Sequence, residues 1–267
     1  MYITSNSIRK CADVVFDMFY YKTDEEFNKI FSVNLSNKLI FINGDLIEYL
    51  VEHLSKFINM TLIIHASDKT IDYLIIQSIL PFCKYIYSEN CTCIHTKIKQ
   101  IPLGFCDINT RILFHHNTRP FNANDYMVDK TKTKLCYINV GTYTNTDEVK
   151  FKVVKQNRMN CISNFKGKNW VDIEDNKLPY ELFIKKLATY KFSICPVGFG
   201  IDTHRFYECA IVGTRPIIIS SPLDEMYKHY KPLIVNDWSE VTEELLLAQP
   251  DYKLSCDVFN LKYWIFM

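Results

Sequence analysis

Apolar and polar positions along this chain switch repeatedly between two periods. Short apolar runs bounded by turn residues read as buried strands at Lys38–Ile42, Met60–Ile64, Tyr85–Ser88 and Lys99–Pro102, and 3.6-residue patterns at 45–57 and 69–80 read as the helices between them. That succession predicts an α/β fold. The polar and aromatic stretch Thr110–Thr133, with its clustered Asn, Asp and Lys, reads as a crossing between two halves or an acceptor-side loop. A second succession follows: a strand at Leu135–Val140, a helix at Thr146–Asn157, a strand at Met159–Ile162, a helix at Pro179–Thr189 and a strand at Phe192–Cys195 ended by Pro196. Residues 1–128 and 129–267 are the two domains this predicts, each of ordinary domain size.

The segment Lys191–Ser221 carries the densest chemistry. Its strand is followed by Gly198 and Gly200, which open the backbone, then by Asp202 and Thr203 where an N-cap belongs, then by a helix ending near Gly213 and a buried strand at Ile217–Ile219. Unpaired N–H groups and the positive dipole end at such a helix start attract phosphate, and Arg205 in the first turn adds a planar charge able to bind two oxygens. Glu208, one turn on, shares a face with Arg205 and suits a ribose diol. An Arg and a Glu at this spacing more often form an ordinary helix pair, so the surrounding glycines, cap and strands carry the diphosphate reading. Ligands of open parallel sheets bind beyond the carboxyl ends of strands, which adds Gly141, Thr142 and Tyr143, with Tyr143 a candidate to stack on a base or sugar. His204 stands beside the Arg as a phosphate or sugar contact, or as a solvated first-turn side chain.

Gly198-Phe199-Gly200-Ile201-Asp202-Thr203-His204-Arg205, with Glu208, Ala210, Gly213 and Pro216-Ile217-Ile218, resembles the donor-site segment of exostosin-like glycosyltransferases. Cys209 intrudes where that family has Glu and Ala adjacent. Ser221–Asp224 and Leu233–Trp238 are similar to the family's following segment, and Leu62–Asp68 and Ile101–Gly104 to two upstream ones. The resemblance spans about residues 60–245. It implies a GT-B-like architecture of two Rossmann-like domains facing a cleft, with the nucleotide sugar on the C-terminal domain and the acceptor on the N-terminal one. It also implies an inverting transfer with no metal or other cofactor required, the nucleotide sugar serving as co-substrate.

Such a transfer needs a base for the acceptor hydroxyl and charge stabilisation for the departing diphosphate. Arg205 answers the second need. His65 and Asp68 follow the Met60–Ile64 strand at its carboxyl end and are the candidates for the first. The competing readings are a buried imidazole satisfied by a backbone carbonyl, and a cap for a helix starting near Thr70. The function expected is transfer of a sugar from a nucleotide-sugar donor of UDP type to a glycan or other hydroxyl acceptor. The alternative is a non-catalytic nucleotide-sugar or glycan-binding module of the same fold.

Charge and cysteine content narrow the partners. Thirty-one basic residues against thirty acidic ones leave a net charge of +1, which gives no electrostatic case for nucleic acid. No apolar stretch reaches the length of a membrane span, and the first residues lack a signal-peptide pattern, so a cytoplasmic protein is expected. The ten cysteines read mostly as reduced thiols, and Cys91, Cys93 and His95 form a tight C-x-C-x-H cluster that could bind zinc if Cys83 or Cys106 joined it but does not match a standard ligand pattern.

Overall fold

The computed structural model describes residues 1–17, 32–106, 122–141, 149–174, 176 and 178–265, excepting the side chains of residues 149–151. The chain divides into two compact units, Met1–Thr118 with Asn260–Met267, and Arg119–Phe259. The final residues thus belong with the first unit. Asn260 bridges Tyr2 in antiparallel fashion, the Leu261 N–H donates to the Met1 carbonyl at 2.9 Å, and Leu261, Trp264 and Ile265 are buried.

In the first unit β1 (Val14–Phe16), β2 (Leu39–Asn43), β3 (Met60–His65), β4 (Cys83–Ser88) and β5 (Ile98–Gln100) form a parallel sheet in sequential order. Three helices of this unit are α1 (Ser5–Arg9), α2 (Ile47–Leu54) and α3 (Tyr73–Ile79). Strand side chains alternate between faces, so Ile40, Ile42, Leu62 and Ile64 share one face. They join Ile47, Leu50 and Leu54 of α2 and Ile75, Ile76 and Ile79 of α3 in one core. Phe41 belongs to the opposite face, where the Arg9 guanidinium lies 4.9 Å from its ring centre and donates to the buried Asp17 carboxylate at 2.6 Å.

The second unit carries β6 (Lys134–Ile138), β7 (Val171–Ile173), β8 (Tyr190–Ile194), β9 (Arg215–Ile219) and β10 (Leu233–Val235), all parallel, in the order β10-β9-β8-β6-β7. Its helices include α4 (Val149–Phe165), α5 (Tyr180–Leu187), α6 (His204–Ile211), α7 (Asp224–Tyr227) and α8 (Glu243–Leu247). Cys136, Ile138, Phe192, Ile194 and Ile217 pack with Cys161 and Phe165 of α4 and Leu246 of α8. The strand expected at Met159–Ile162 lies inside α4. A four-residue apolar run fits either period, and here Val154, Cys161 and Phe165 are buried at helical spacing while Asn157, Asn160 and Asn164 face outward. The strand that pairs with β6 comes later, at Val171–Ile173, after Gly167 turns the chain at φ +82°.

The order of the second sheet matters for function. From β6 the chain moves outward to β7, then returns past β6 to form β8. Right-handed connections in opposite directions put α4 and α5 on opposite faces of the sheet and leave a crevice between the carboxyl ends of β6 and β8. The sequential order of the first sheet contains no such reversal. Both units are parallel, five-stranded and Rossmann-like. Among the described residues no helix is long and apolar enough to cross a membrane.

Candidate functional site

The crevice of the second sheet is bordered by the chain leaving β6, Asn139–Gly141, and the chain leaving β8, Cys195–Asp202. The β8 ladder ends where the Cys195 N–H donates to the Ile217 carbonyl at 2.9 Å, since Pro196 has no N–H to continue it. The loop then turns, with the Gly198 N–H donating to the Gly200 carbonyl at 3.2 Å. Gly198 is half-buried and Gly200 buried. A methyl group on Gly198 would meet its nearest neighbours at 3.5 and 3.6 Å, ordinary contact distances, so protein packing alone does not demand a glycine there.

Asp202 anchors this loop from inside. Its buried carboxylate accepts the Thr203 N–H at 2.8 Å, the Tyr227 hydroxyl at 3.0 Å and the Tyr207 hydroxyl. Burial first, and the Asp202 charge second, push both phenols well above their ordinary pKa, so they act as neutral donors. Thr203 holds the N-cap position of α6 with extended backbone but makes no side-chain cap. The aspartate is thus a structural anchor within the segment nominated for donor binding. His204, at the start of α6, is half-buried.

Arg205 and Glu208 come together as their spacing predicts, and in company that the spacing does not reveal. The Arg205 Nε donates to Glu208 Oε2 at 3.1 Å, Nη1 donates to the Asn139 carbonyl at the end of β6, and the guanidinium lies 4.0 Å above the Phe183 ring of α5. Burial disfavours the charge, yet Glu208 beside it holds the guanidinium pKa above its ordinary value. Nη2 has no protein acceptor among the described residues, and the side chain is 24% exposed. Glu208 Oε1 accepts the Tyr180 hydroxyl at 3.1 Å, and that hydroxyl in turn meets the Tyr126 hydroxyl.

A second arginine, in α4, closes the crevice and was not among the sequence candidates. Arg158 donates from Nη1 to the Gly141 carbonyl at 2.9 Å and from Nε to the Val197 carbonyl at 3.3 Å, joining the two loops. No local motif marks it, because its partners lie 17 and 39 residues away. Asn139 was open to detection as the residue at the carboxyl end of a read strand, and Tyr180 only as the residue after Pro179. Gly141 is exposed, while Thr142 and Tyr143 lie outside the described residues.

The two base candidates differ sharply. His65, at the end of β3, is fully buried; Nδ1 meets the Ser5 hydroxyl at 3.2 Å, and Nε2 lies 3.1 Å from both the Pro102 carbonyl and Glu89 Oε2. The Pro102 carbonyl can only accept, which assigns the ring proton to Nε2. Glu89 is held in turn by the Ser67 N–H at 2.6 Å. This is the buried imidazole satisfied by a backbone carbonyl, a post for the loops after β3 and β4. Asp68 is exposed, and it is not the cap of α3, because that helix starts later and Asp72 accepts the Ile75 N–H at 3.1 Å. Among the described residues no three His, Cys, Asp or Glu side chains converge to hold a metal ion. All ten cysteines are free, and the buried Cys195 and Cys209 bring their sulfurs to 3.6 Å behind α6.

Comparison with curated proteins finds no match. Residues 115–248, just over half of the 267-residue chain, match the family described as RXYLT1 C-terminal domain, a xylosyltransferase family of the exostosin-like kind. The matched span contains the whole crevice of the second sheet, from Asn139 through Arg158 to Arg205 and Glu208, and this chain belongs to that glycosyltransferase family.

Proposed function

We propose that the protein transfers a sugar from a nucleotide diphosphate donor, of UDP type, to a hydroxyl acceptor with inversion, without a required metal or other cofactor. The observation that carries this reading is the posture of Arg205: pinned by Glu208, Asn139 and Phe183, it keeps Nη2 without an acceptor among the described residues, beside the start of α6. A guanidinium fixed in advance loses little side-chain entropy when a phosphate oxygen arrives, and a helix start adds its dipole. In this reading Arg205 and the N–H groups opening α6 take up charge as the diphosphate leaves, Glu208 orients Arg205 and accepts from the ribose, and Arg158 holds the two loops in register. Gly198 and Gly200 let the ligand approach the backbone, with His204, Gly141, Thr142 and Tyr143 as further donor contacts.

The first unit receives the acceptor, a glycan or other hydroxyl compound, and the exposed Asp68 serves as base; His65, buried and fully engaged, positions its loop instead. Its burial is also what keeps the non-catalytic binding module as the second reading. A reducing, cytoplasmic setting completes the proposal.

A thermal-shift series with UDP, GDP and UDP-xylose tests donor binding, since a ligand at a hundred times its Kd stabilises the fold by about 2.7 kcal/mol. UDP release that requires an acceptor supports transfer. Release at equal rate in water alone points to hydrolysis, no release across a donor and acceptor panel favours the binding module, and no shift with any nucleotide overturns the donor site.

A further inference from the structure

Two buried sulfurs lie together behind the helix that carries Arg205. Cys195, the residue after β8, is 4% exposed and Cys209, on α6, is fully buried, and their Sγ atoms are 3.6 Å apart. The Cys195 thiol donates to the Ser193 carbonyl at 3.5 Å, so the Cys209 thiol is the one that donates to the Cys195 sulfur. Cys209 is also the residue by which this segment departs from the adjacent Glu and Ala of the exostosin-like pattern. The contact therefore belongs to this chain's own sequence and not to the shared motif.

Bonded sulfurs stand about 2.05 Å apart, so from 3.6 Å closure asks for about 1.5 Å of further approach. Cys195 lines a groove of about 660 Å³ with Pro196, Thr203 and Phe206, a route to its sulfur wide enough for hydrogen peroxide. The Cys195 sulfur attacks one peroxide oxygen, the O–O bond breaks, the other oxygen leaves as water with the thiol proton, and a sulfenic acid remains. The Cys209 sulfur then attacks the sulfenic sulfur; the S–S bond forms and the hydroxyl departs with the Cys209 proton as a second water. Two thiols have then given two electrons to one peroxide, and a dithiol reductant returns them. Burial first, and the Cys209 sulfur second, push the Cys195 thiol well above its ordinary pKa, which slows the first attack and tunes the pair to prolonged exposure.

We infer that Cys195 and Cys209 form a reversible, peroxide-driven disulfide that switches off the neighbouring helix start. Cys209 lies one turn after Arg205 on the same side of α6, and Cys195 ends β8, the strand paired with the β6 strand whose following Asn139 carbonyl holds Arg205. Drawing the sulfurs together shifts α6 against the sheet and moves the guanidinium from its place, and a misplacement of about 1 Å suffices to cost roughly a hundredfold in rate. The bond itself is independent of the proposed function; its effect on UDP rests on that reading.

The test exposes the full chain, as wild type and as Cys209→Ala, to excess hydrogen peroxide, blocks the remaining thiols, and maps tryptic peptides without reductant beside a calorimetric titration with UDP. Trypsin cuts after Lys191, Arg205 and Lys228, so the bond joins peptide 192–205 to peptide 206–228. In wild type the linked pair should form, the Kd for UDP should rise at least tenfold, and dithiothreitol should reverse both. Cys209→Ala keeps every other cysteine and restores the adjacent Glu and Ala, so it should bind UDP within twofold of reduced wild type before and after peroxide; Cys209→Ser replaces it if the alanine variant does not fold. Absence of the linked pair, with the exposed Cys256 as the internal control for oxidant, overturns the inference. Oxidised wild type that binds UDP like the reduced form, or an equal loss of affinity in the variant, overturns the switch. UDP that binds neither form while the linked pair is present counts against the donor site and leaves the disulfide standing.

Discussion

Replacing Arg205 separates stability from ligand recognition, because one guanidinium serves both. Arg205→Met keeps an aliphatic chain against Phe183 but removes the bonds to Glu208 and Asn139, taking from the Glu208 carboxylate, only 8% exposed, its positively charged partner. Breaking a buried ion pair costs about 3–5 kcal/mol, and the partial exposure of Arg205 brings the expectation to about 2–3 kcal/mol. For a chain of this size that corresponds to a Tm lower by roughly 5–10 °C. In Arg205→Met/Glu208→Gln no orphan charge remains and Gln can still accept from Tyr180, so most of the lost stability should return, to within about 1 kcal/mol of wild type. UDP affinity should not return, since each lost charge-assisted hydrogen bond is worth about 1.5–3 kcal/mol, or roughly ten- to hundredfold in Kd. Melting curves with and without UDP, run on wild type and both variants, read the two effects independently. A single variant as stable as wild type would refute the network argument, and a double variant that binds UDP like wild type would refute the phosphate role.

Other substitutions address separate links. Gly198→Ala should leave Tm within about 1 °C, given ordinary contacts at 3.5 Å, yet weaken UDP binding if the diphosphate approaches that loop; unchanged binding removes Gly198 from the site. Gly104→Ala should behave oppositely, because φ is +70° and the added carbon would lie 2.4 Å from the Ile3 carbonyl, so a melt lowered by several degrees is expected and a neutral result would contradict the packing described. Asp68→Asn should lower turnover by about a hundredfold with little change in Tm if it is the base, whereas His65→Ala should destabilise by about 2–4 kcal/mol; equal, purely thermal effects would dismiss both as catalysts. Asp202→Asn exchanges a carboxylate held by three donors for an amide and should cost about 2–3 kcal/mol by thermal melt, with Tyr207→Phe costing less.

The part of the site legible in the sequence is the part that is local. Glycines, Asp202, Thr203 and Arg205 sit within eight positions of one another, and turn and cap chemistry acts over that distance, so the helix start could be read directly. The partners that give Arg205 its posture, Asn139 and Phe183, come from other strands and helices, and only the parallel ordering of β6 and β8 brings them together. The surroundings of His65 were hidden for the same reason: its type suits proton transfer, but its burial is decided by Ser5, Glu89 and Pro102, each far along the chain. Periodicity likewise located most strands but could not give their order, and it is the order that makes the crevice of the second sheet. At Met159–Ile162 the local signal was ambiguous in itself, and packing against Cys136 and Ile138 decided for helix.

The bridge between Tyr2 and Asn260 has a consequence for how the chain is made. Everything the second sheet needs is encoded in the continuous run Arg119–Phe259, whereas the first unit must wait for Leu261, Trp264 and Ile265 to cover its opening residues. During synthesis from the amino end, the unit encoded second therefore has all its parts at hand first, and the ribosome delivers the closing clasp of the older unit only afterwards.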